Sequence, residues 1–301
     1  MLKYTNKHPK KIDIPSSHKM AIKKKSKFFD WAGYFPDEIS AKKYSIETKK
    51  SSYHKDRLRA LNYLTKNLSK VKSVLDFGIG DGNEFKQMKI KSKSFIGIDI
   101  SSHMINLANK NLKKLQNKTL IIGGVSELKK IKKDSVDLII ANNVLAYLND
   151  KDLILFFKEI KRIAKKKCYF LTLNGNELFD LFALNCFTKI FFKKHFKQTD
   201  NGMNKLLKIR DNDKNHQPSR RFNPIQFKTI LKKNGFIEIE QSFSQWHKFS
   251  PEIGKFIHKK NVKKARLLSR DHNFDPNKLS DENKWKALFC CTIFGSLSKR
   301  I

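Results

Sequence analysis

The densest group of residues able to do chemistry is a glycine-rich turn that follows an apolar strand. Residues 74–82 read Val-Leu-Asp-Phe-Gly-Ile-Gly-Asp-Gly, so Asp76 lies near the end of the strand and Gly78, Gly80 and Gly82 alternate after it. Glycine lets the backbone turn sharply and approach a ligand without a Cβ clash. A dinucleotide fingerprint needs glycine where Asn83 stands, and the Gly-Lys-Ser/Thr ending of a P-loop is missing. The turn therefore predicts a ligand other than NAD.

A second acid stands at the end of the next apolar run. Residues 95–99 read Phe-Ile-Gly-Ile-Asp, so Asp99 closes this run. In doubly wound folds an acid at this place binds the ribose diol of a nucleotide, because one carboxylate can accept both hydroxyl protons. The two acids and the glycines together predict a nucleoside pocket across two strand ends.

These residues are positioned by an alternation of short apolar runs and longer amphipathic ones. That alternation is typical of βαβ units, and it predicts an α/β fold: a Rossmann-like, doubly wound, mostly parallel sheet with helices on both faces and an antiparallel last strand. The expected strands cover residues 73–77, 94–100, 119–122, 136–142, 168–173, 236–241 and 287–297, and the expected helices cover 56–68, 102–115, 152–165, 177–196 and 224–234.

The glycine turn and the second acid resemble those of the class I S-adenosylmethionine-dependent methyltransferases, whose first motif is acid-x-Gly-x-Gly-x-Gly. The resemblance implies S-adenosylmethionine as cofactor, with Gly78, Gly80 and Gly82 against its amino-acid part. It also implies that Asp76 orients the ammonium group, directly or through water, and that Asp99 takes the ribose hydroxyls.

Two further places carry the resemblance along the chain. In the family's fourth motif an acidic strand leads to a loop near the methyl group, and Asp137-Leu138-Ile139-Ile140-Ala141-Asn142-Asn143-Val144 occupies that place. Asn142 and Asn143 are therefore candidates to face cofactor or acceptor, or they cap the next helix. After strand three the family often has an acid that contacts adenine. This chain has Gly123-Gly124-Val125-Ser126, so adenine recognition there falls to the backbone or to Ser126.

The composition bounds the partners of the chain. Its formal charge is +36, which favours nucleic acid or an anionic membrane, but Lys far outnumbers Arg, the residue that phosphate and base-edge recognition prefer. The abundance of Lys, Asn, Ile and Phe together indicates a compositional bias. From charge alone a nucleic-acid partner is therefore disfavoured, although it stays open as an alternative. Four cysteines without metal-ligand spacing predict no metal site and a reducing, cytoplasmic location, and no apolar run is long enough to span a bilayer.

Three parts of the chain are expected from these patterns. Residues 1–27 are a mobile basic arm, residues 28–70 are an aromatic-rich helical segment that is either a lid or an anchor, and residues 71–301 are the methyltransferase domain. Helical additions are expected at about 177–222 and 243–286. The stretch 177–196 is amphipathic, and covering a sheet edge or pocket is a more common role for such a helix than peripheral membrane contact.

Methyl transfer from a sulfonium is an in-line displacement, so alignment is the main task and a base is optional. His216 and His247 are the candidate bases. Arg220 and Arg221, paired in an Arg-poor chain, are candidates to hold an anionic group of the acceptor.

The sequence also limits the methyl acceptor, although it leaves the oligomeric state open. The chain lacks the Asn/Asp-Pro-Pro-Tyr/Phe motif of the amino-methyltransferases, and none of its cysteines follows proline as in cytosine-C5 enzymes. We therefore expect a small organic, sugar or lipid-linked acceptor. Two alternatives stay open: an RNA methyltransferase that uses the basic arm, and a nucleoside-binding module without catalysis.

Overall fold

A computed structural model describes residue 31 and residues 33–68, 70–88, 90–184, 187–196, 219–251 and 268–301. The expected arm, residues 1–27, and the candidate base His216 lie outside these ranges. Among the helices within them, none combines the length and the apolar character that crossing a bilayer requires.

The described part of the chain is built on a seven-stranded sheet. The strands are β1 Lys70–Phe77, β2 Lys91–Asp99, β3 Lys118–Ile122, β4 Val136–Asn142, β5 Ala164–Gly175, β6 Phe236–Trp246 and β7 Cys291–Arg300, and their order is β3-β2-β1-β4-β5-β7-β6. The first five are parallel, whereas β7 lies antiparallel to both β5 and β6. The predicted Rossmann-like sheet with an antiparallel last strand is confirmed.

Helices cover both faces of the sheet. They are α1 Glu38–Lys50, α2 Ser52–Thr65, α3 Asn83–Gln87, α4 Ser102–Asn111, α5 Asp150–Ile163, α6 Glu177–Ala183, α7 Thr188–Phe196, α8 Pro224–Lys233 and α9 Lys284–Cys290. One core cluster joins the sheet to α5 and α8, with Phe156, Phe170 and Phe227 fully buried. A second joins the opposite face to α2, α3 and α4, with Leu61 and Phe85 among its buried members. Both faces are therefore apolar, as buried parallel strands require.

Two sequence predictions of local structure were wrong. The stretch 177–196 is two helices rather than one, because Leu184 adopts a left-handed conformation with φ of 46° and its N–H caps the carbonyl of Asp180. The last strand begins at Cys291, and residues 287–290 complete α9 instead. The side chain of Asn176 donates to the carbonyls of Leu288 and Cys291, at 2.7 and 2.8 Å, which fixes this helix end.

The segment 268–278 packs against α2 and fastens it to the C-terminal part of the chain. His272 Nε2 lies 3.0 Å from the hydroxyl of Ser52, and its Nδ1 lies 2.8 Å from Asp56 Oδ2. Arg59 donates to the carbonyls of His272 and Phe274 at 2.8 and 2.9 Å. We call this contact the α2 strap, and it holds α2 across the second face of the sheet.

Candidate functional site

A cavity of about 510 Å³ opens where β1, β2, β3 and β4 end. In doubly wound sheets this carboxyl edge is where ligands bind. The strand ends form one side of the cavity, and the segment before β1 forms the other. The residues that line the cavity include Trp31, Phe35, Tyr44, Lys49, His54, Arg57, Gly78, Gly80, Asp81, Glu84, Asp99, Met104, Gly123, Gly124, Asn142, Asn143, Val144, Tyr147 and Ile293.

The three glycines of the turn have left-handed backbones but different surroundings. Gly78 has φ of 76°, and a Cβ there would lie 2.7 Å from Val144. Gly82 has φ of 71°, and its Cβ would lie 3.0 Å from Leu112, so this glycine serves the packing of α3 on α4. Gly80 has φ of 57° and nothing within 4 Å of the Cβ position, so it faces open space in the cavity. Gly82 is not among the described residues that line the cavity.

Asp99 lines the cavity and is joined to the turn. Its Oδ2 accepts the N–H of Gly80 at 2.8 Å, and its Oδ1 accepts the N–H of Ser101 at 2.9 Å. Burial raises the pKa of this carboxyl, while the backbone N–H groups act in the opposite direction. Each oxygen has a second lone pair, so the carboxylate can still accept hydrogen bonds from a ligand.

Asp76 lies below the turn, only 5% exposed, and it is not among the described residues that line the cavity. Burial raises the pKa of Asp76 well above its usual range, and the nearby carboxylates of Glu84 and Asp99 raise it further. The side chain therefore sits behind the glycine turn and can reach a bound ligand only past the turn.

The fourth-motif residues and the residues after β3 take different places. Asn142 ends β4, and Asn143 follows with φ of 55°; both line the cavity. Gly123 and Gly124 also line it. Ser126 is exposed on a 3₁₀ turn, Val125–Lys130, and is not among the described lining residues. Gly123 and Gly124 therefore face the cavity, whereas the Ser126 side chain does not line it.

The two adjacent arginines make ion pairs away from the cavity lining. Arg220 contacts Asp150, whose side chain is 81% exposed. Arg221 donates from Nε and Nη2 to the two oxygens of Asp180 at 3.1 and 3.0 Å, and Asp180 is fully buried. The structure thus gives the two guanidinium groups protein carboxylates as partners, and neither residue is among the described lining residues.

We expect these arginines to differ strongly in their effect on stability. Arg221→Ala leaves the buried Asp180 carboxylate without this partner and should lower the free energy of unfolding by about 3–5 kcal/mol. Arg220→Ala removes a pair with an exposed acid and should cost less than about 1 kcal/mol. Urea unfolding of both variants measures the difference. Equal losses would show that Asp180 does not depend on Arg221.

His247, the second candidate base, is a buried residue of the sheet end. It is 2% exposed, its Nδ1 lies 2.8 Å from the hydroxyl of Ser269, and its ring packs against Phe179. It is not among the described residues that line the cavity. Within the described ranges, no group of three or more His, Cys, Asp or Glu side chains is arranged to hold a metal ion.

His54 is a cavity residue that sequence reasoning missed, because it stands in a polar, basic stretch without a motif. It is 4% exposed, and its Nε2 lies 3.3 Å from both Asn83 Nδ2 and Gln87 Nε2. These amide nitrogens are donors, so Nε2 accepts from both and its lone pair is occupied. Burial lowers the pKa of His54, although the carboxylate of Glu84, 3.9 Å from its Nδ1, opposes the shift.

The lowered pKa of His54 predicts how stability depends on pH. The unfolded chain takes up a proton as the pH falls through about 6.5, while the folded chain keeps the imidazole neutral, so stability falls with acidification. His54→Gln should remove this contribution and flatten the profile between about pH 5.5 and 7. Thermal unfolding of the parent and the variant across this range measures it. Parallel profiles would contradict it.

The glycine turn is also bound from the N-terminal side. Asp81 contacts the hydroxyl of Ser45, and its Oδ2 lies 3.3 Å from Lys49 Nζ. Arg57 Nη2 lies 2.8 Å from Glu84 Oε1. These contacts attach α1 and α2 to the turn that carries Gly80. The sequence indicated this segment only by its run of aromatic and basic residues before β1. The spacing of those residues does not indicate which residues of the turn they contact.

Comparison with known proteins gives the family and the fold of the chain. Residues 68–286 match the family model described as a methyltransferase domain. No curated protein matches the chain. The chain is similar to solved structures from three organisms. They are a chain from the complex of the Haloferax volcanii Trm112 methyltransferase activator with a methyltransferase, a SAM-dependent methyltransferase from Archaeoglobus fulgidus, and the N-methyltransferase NodS from Bradyrhizobium japonicum WM9 in complex with S-adenosyl-L-homocysteine.

The likeness to these structures extends over most of each chain at low sequence identity. The TM-scores are 0.53, 0.50 and 0.51, the identities are 13%, 17% and 11%, and the alignments cover 87%, 85% and 84% of this chain. They cover 96%, 99% and 90% of the other chains. At such identities the likeness shows the fold, whereas the family match spans more than half of this chain. The protein belongs to the methyltransferase-domain family, within the class I S-adenosylmethionine-dependent methyltransferases.

Proposed function

We propose that this chain transfers a methyl group from S-adenosylmethionine to a small organic acceptor. The observation that carries the proposal is the meeting of Gly78, Gly80 and Asp99 in one cavity at the carboxyl edge of the sheet. The cavity volume lies within the range of small-molecule sites, about 300–1,000 Å³.

The residues around the cavity fit the donor. In the proposed complex, Asp99 accepts the ribose hydroxyls with its remaining lone pairs, and the open backbone at Gly80 lies against the amino-acid part. Met104 and the backbone of Gly123 and Gly124 lie near the adenine of the donor. When bound, the donor supplies an activated methyl group on a sulfonium. The support comes from the open space at Gly80, which a side chain would fill.

Two cations stand at the turn end of the cavity. Lys49 and Arg57 both line it, and each also pairs with an acid of the turn region, Asp81 or Glu84. We propose that they offset the negative charge of the donor's carboxylate. We also propose that Asp76, behind the turn, orients the donor's ammonium group through water.

We propose that the described part of residues 28–70 acts as a lid rather than only as an anchor. Trp31, Phe35 and Tyr44 line the cavity, and α1 is attached to the glycine turn through Asp81. A lid in this position excludes water and holds the donor and acceptor in line. Alignment of this kind can supply about 7–11 kcal/mol of a reaction barrier.

The proposal is tested by binding and by transfer. Calorimetry with S-adenosylmethionine should show binding, and radiolabelled donor incubated with fractions of a cell extract should place the label in a small molecule. Label in RNA, together with a steep dependence on salt, would favour an RNA acceptor. Donor binding without transfer to any fraction would favour a nucleoside-binding module. A chain that does not bind the donor would refute the proposed function.

A further inference from the structure

We infer that the acceptor offers a neutral amine nitrogen on an apolar small molecule. This inference rests on the proposed function, because it concerns the part of the same cavity that the donor leaves for its partner. It depends on an aromatic surface, on the polar groups beside that surface and on the chemistry of methyl transfer.

Four aromatic side chains form one wall of the cavity, which we call the aromatic wall: Trp31, Phe35, Tyr44 and Tyr147. Trp31 is its centre. The centroid of its ring lies 5.3 Å from that of Tyr147, 6.2 Å from that of Tyr44 and 6.3 Å from that of Phe35. The faces of such rings are electron-rich, so they attract cations and apolar groups and disfavour anions.

The aromatic wall extends from the donor side of the cavity to the end of β4. Phe35 packs in a cluster with Met104, which follows β2. At the other end, Tyr147 follows Asn142 and Asn143 in the loop after β4. An acceptor that lies against Trp31 and Tyr147 therefore approaches from the β4 side, beside the amides of these two asparagines.

The polar groups at the β4 side are uncharged. Burial raises the pKa of Tyr147 to about 12, and it raises the pKa of Tyr44 as well, so both phenols keep their protons at neutral pH. The asparagine amides carry no charge. The charged residues at the turn end of the cavity pair with one another instead, as Lys49 does with Asp81 and Arg57 with Glu84. The wall and its neighbours thus suit an uncharged acceptor better than a carboxylate or a phosphate.

An amine is the acceptor whose chemistry these groups serve. The nitrogen lone pair of a neutral amine forms the new N–CH₃ bond, the S–CH₃ bond breaks, and its electron pair stays on sulfur as a thioether. The ammonium product loses a proton to water, so no base is needed before attack. The imidazole of His54, the one described histidine of the lining, has its Nε2 directed at Asn83 and Gln87. An alcohol acceptor without a base forgoes about 10²–10⁴ in rate.

The test uses three probes that share one skeleton: 2-phenylethylamine, 2-phenylethanol and 3-phenylpropionate. Calorimetry first measures donor binding to the full chain, and labelled donor then measures methyl transfer to each probe. We expect transfer to the amine about 10² faster than to the alcohol or the carboxylate. The rate with the amine should rise with pH as the amine loses its proton. A wall that only supported the fold would not produce this pH dependence.

The variants compare Trp31→Leu with Trp285→Leu, since Trp285 is 56% exposed on α9 and outside the described lining. Trp31→Leu should lower kcat/KM for the amine about tenfold, mainly through KM, with the donor Kd unchanged. Trp285→Leu should change neither quantity. Preference for the alcohol or the carboxylate, or no transfer to any probe by a chain that binds donor, overturns the amine inference. Failure of donor binding in the parent rejects the proposed function instead.

Discussion

Replacing Asp99 with alanine is expected to weaken the binding of S-adenosylmethionine at least about 100-fold. A hydrogen bond to a charged group contributes about 1.5–3 kcal/mol, and the proposed complex has two of them from the ribose. The substitution also removes the acceptor for the N–H groups of Gly80 and Ser101, which loosens the turn. Calorimetry of donor binding measures the loss.

The matched control for Asp99 is Asp134→Ala. Asp134 is an exposed acid that pairs with Arg300 at the amino edge of the sheet, opposite the cavity. Its removal should leave donor binding unchanged. A folded Asp99→Ala variant that binds the donor as tightly as the parent would remove the ribose assignment.

The second large effect is expected at Gly78. Alanine there must adopt a φ of 76°, and its Cβ would lie 2.7 Å from Val144. A left-handed backbone costs about 1–2 kcal/mol without glycine, and overpacking adds about 1–3 kcal/mol. We expect the free energy of unfolding to fall by about 2–5 kcal/mol, with loss of donor binding because the turn must shift.

Gly124→Ala is the control for this prediction. Gly124 also lines the cavity, but its φ is −110° and nothing lies within 4 Å of its Cβ position. Its substitution should change the free energy of unfolding by less than about 0.5 kcal/mol. Denaturant unfolding measures both variants. Similar values for the two would show that the turn tolerates a side chain at Gly78.

The sheet was predictable because its central strands are nearly continuous apolar runs that alternate with amphipathic helices. The break between α6 and α7 at Leu184 was not predictable, since no glycine or proline marks it. It depends on the capped carbonyl of Asp180, a residue held by Arg221 about forty positions away. The prediction of where β7 begins was wrong for a related reason. Short apolar runs are compatible with helix and strand equally, and here the hydrogen bonds of the distant Asn176 determine where the helix ends.

The lining residues of the cavity were predictable only where they belong to a recognisable sequence motif. The glycine turn and Asp99 are recognisable because their spacing follows from backbone geometry. His54 and Arg57 lie on α2, whose sequence is rich in charged residues but has no motif that indicates a ligand site. Their partners lie beyond the next strand of the chain. The aromatic residues before β1 indicated a segment laid over another surface, but the meeting of Trp31 with Tyr147 depends on tertiary packing.

The α2 strap has a consequence for the order in which the chain loses structure. His272 and Asp56 are 216 positions apart in sequence, yet α2 contacts the 268–278 segment on one side and the glycine turn on another. A local opening of the segment 268–278 is therefore coupled to the region of the glycine turn through α2. In native-state hydrogen exchange, the amides of α2 and of the segment 268–278 would open together as one cooperative unit.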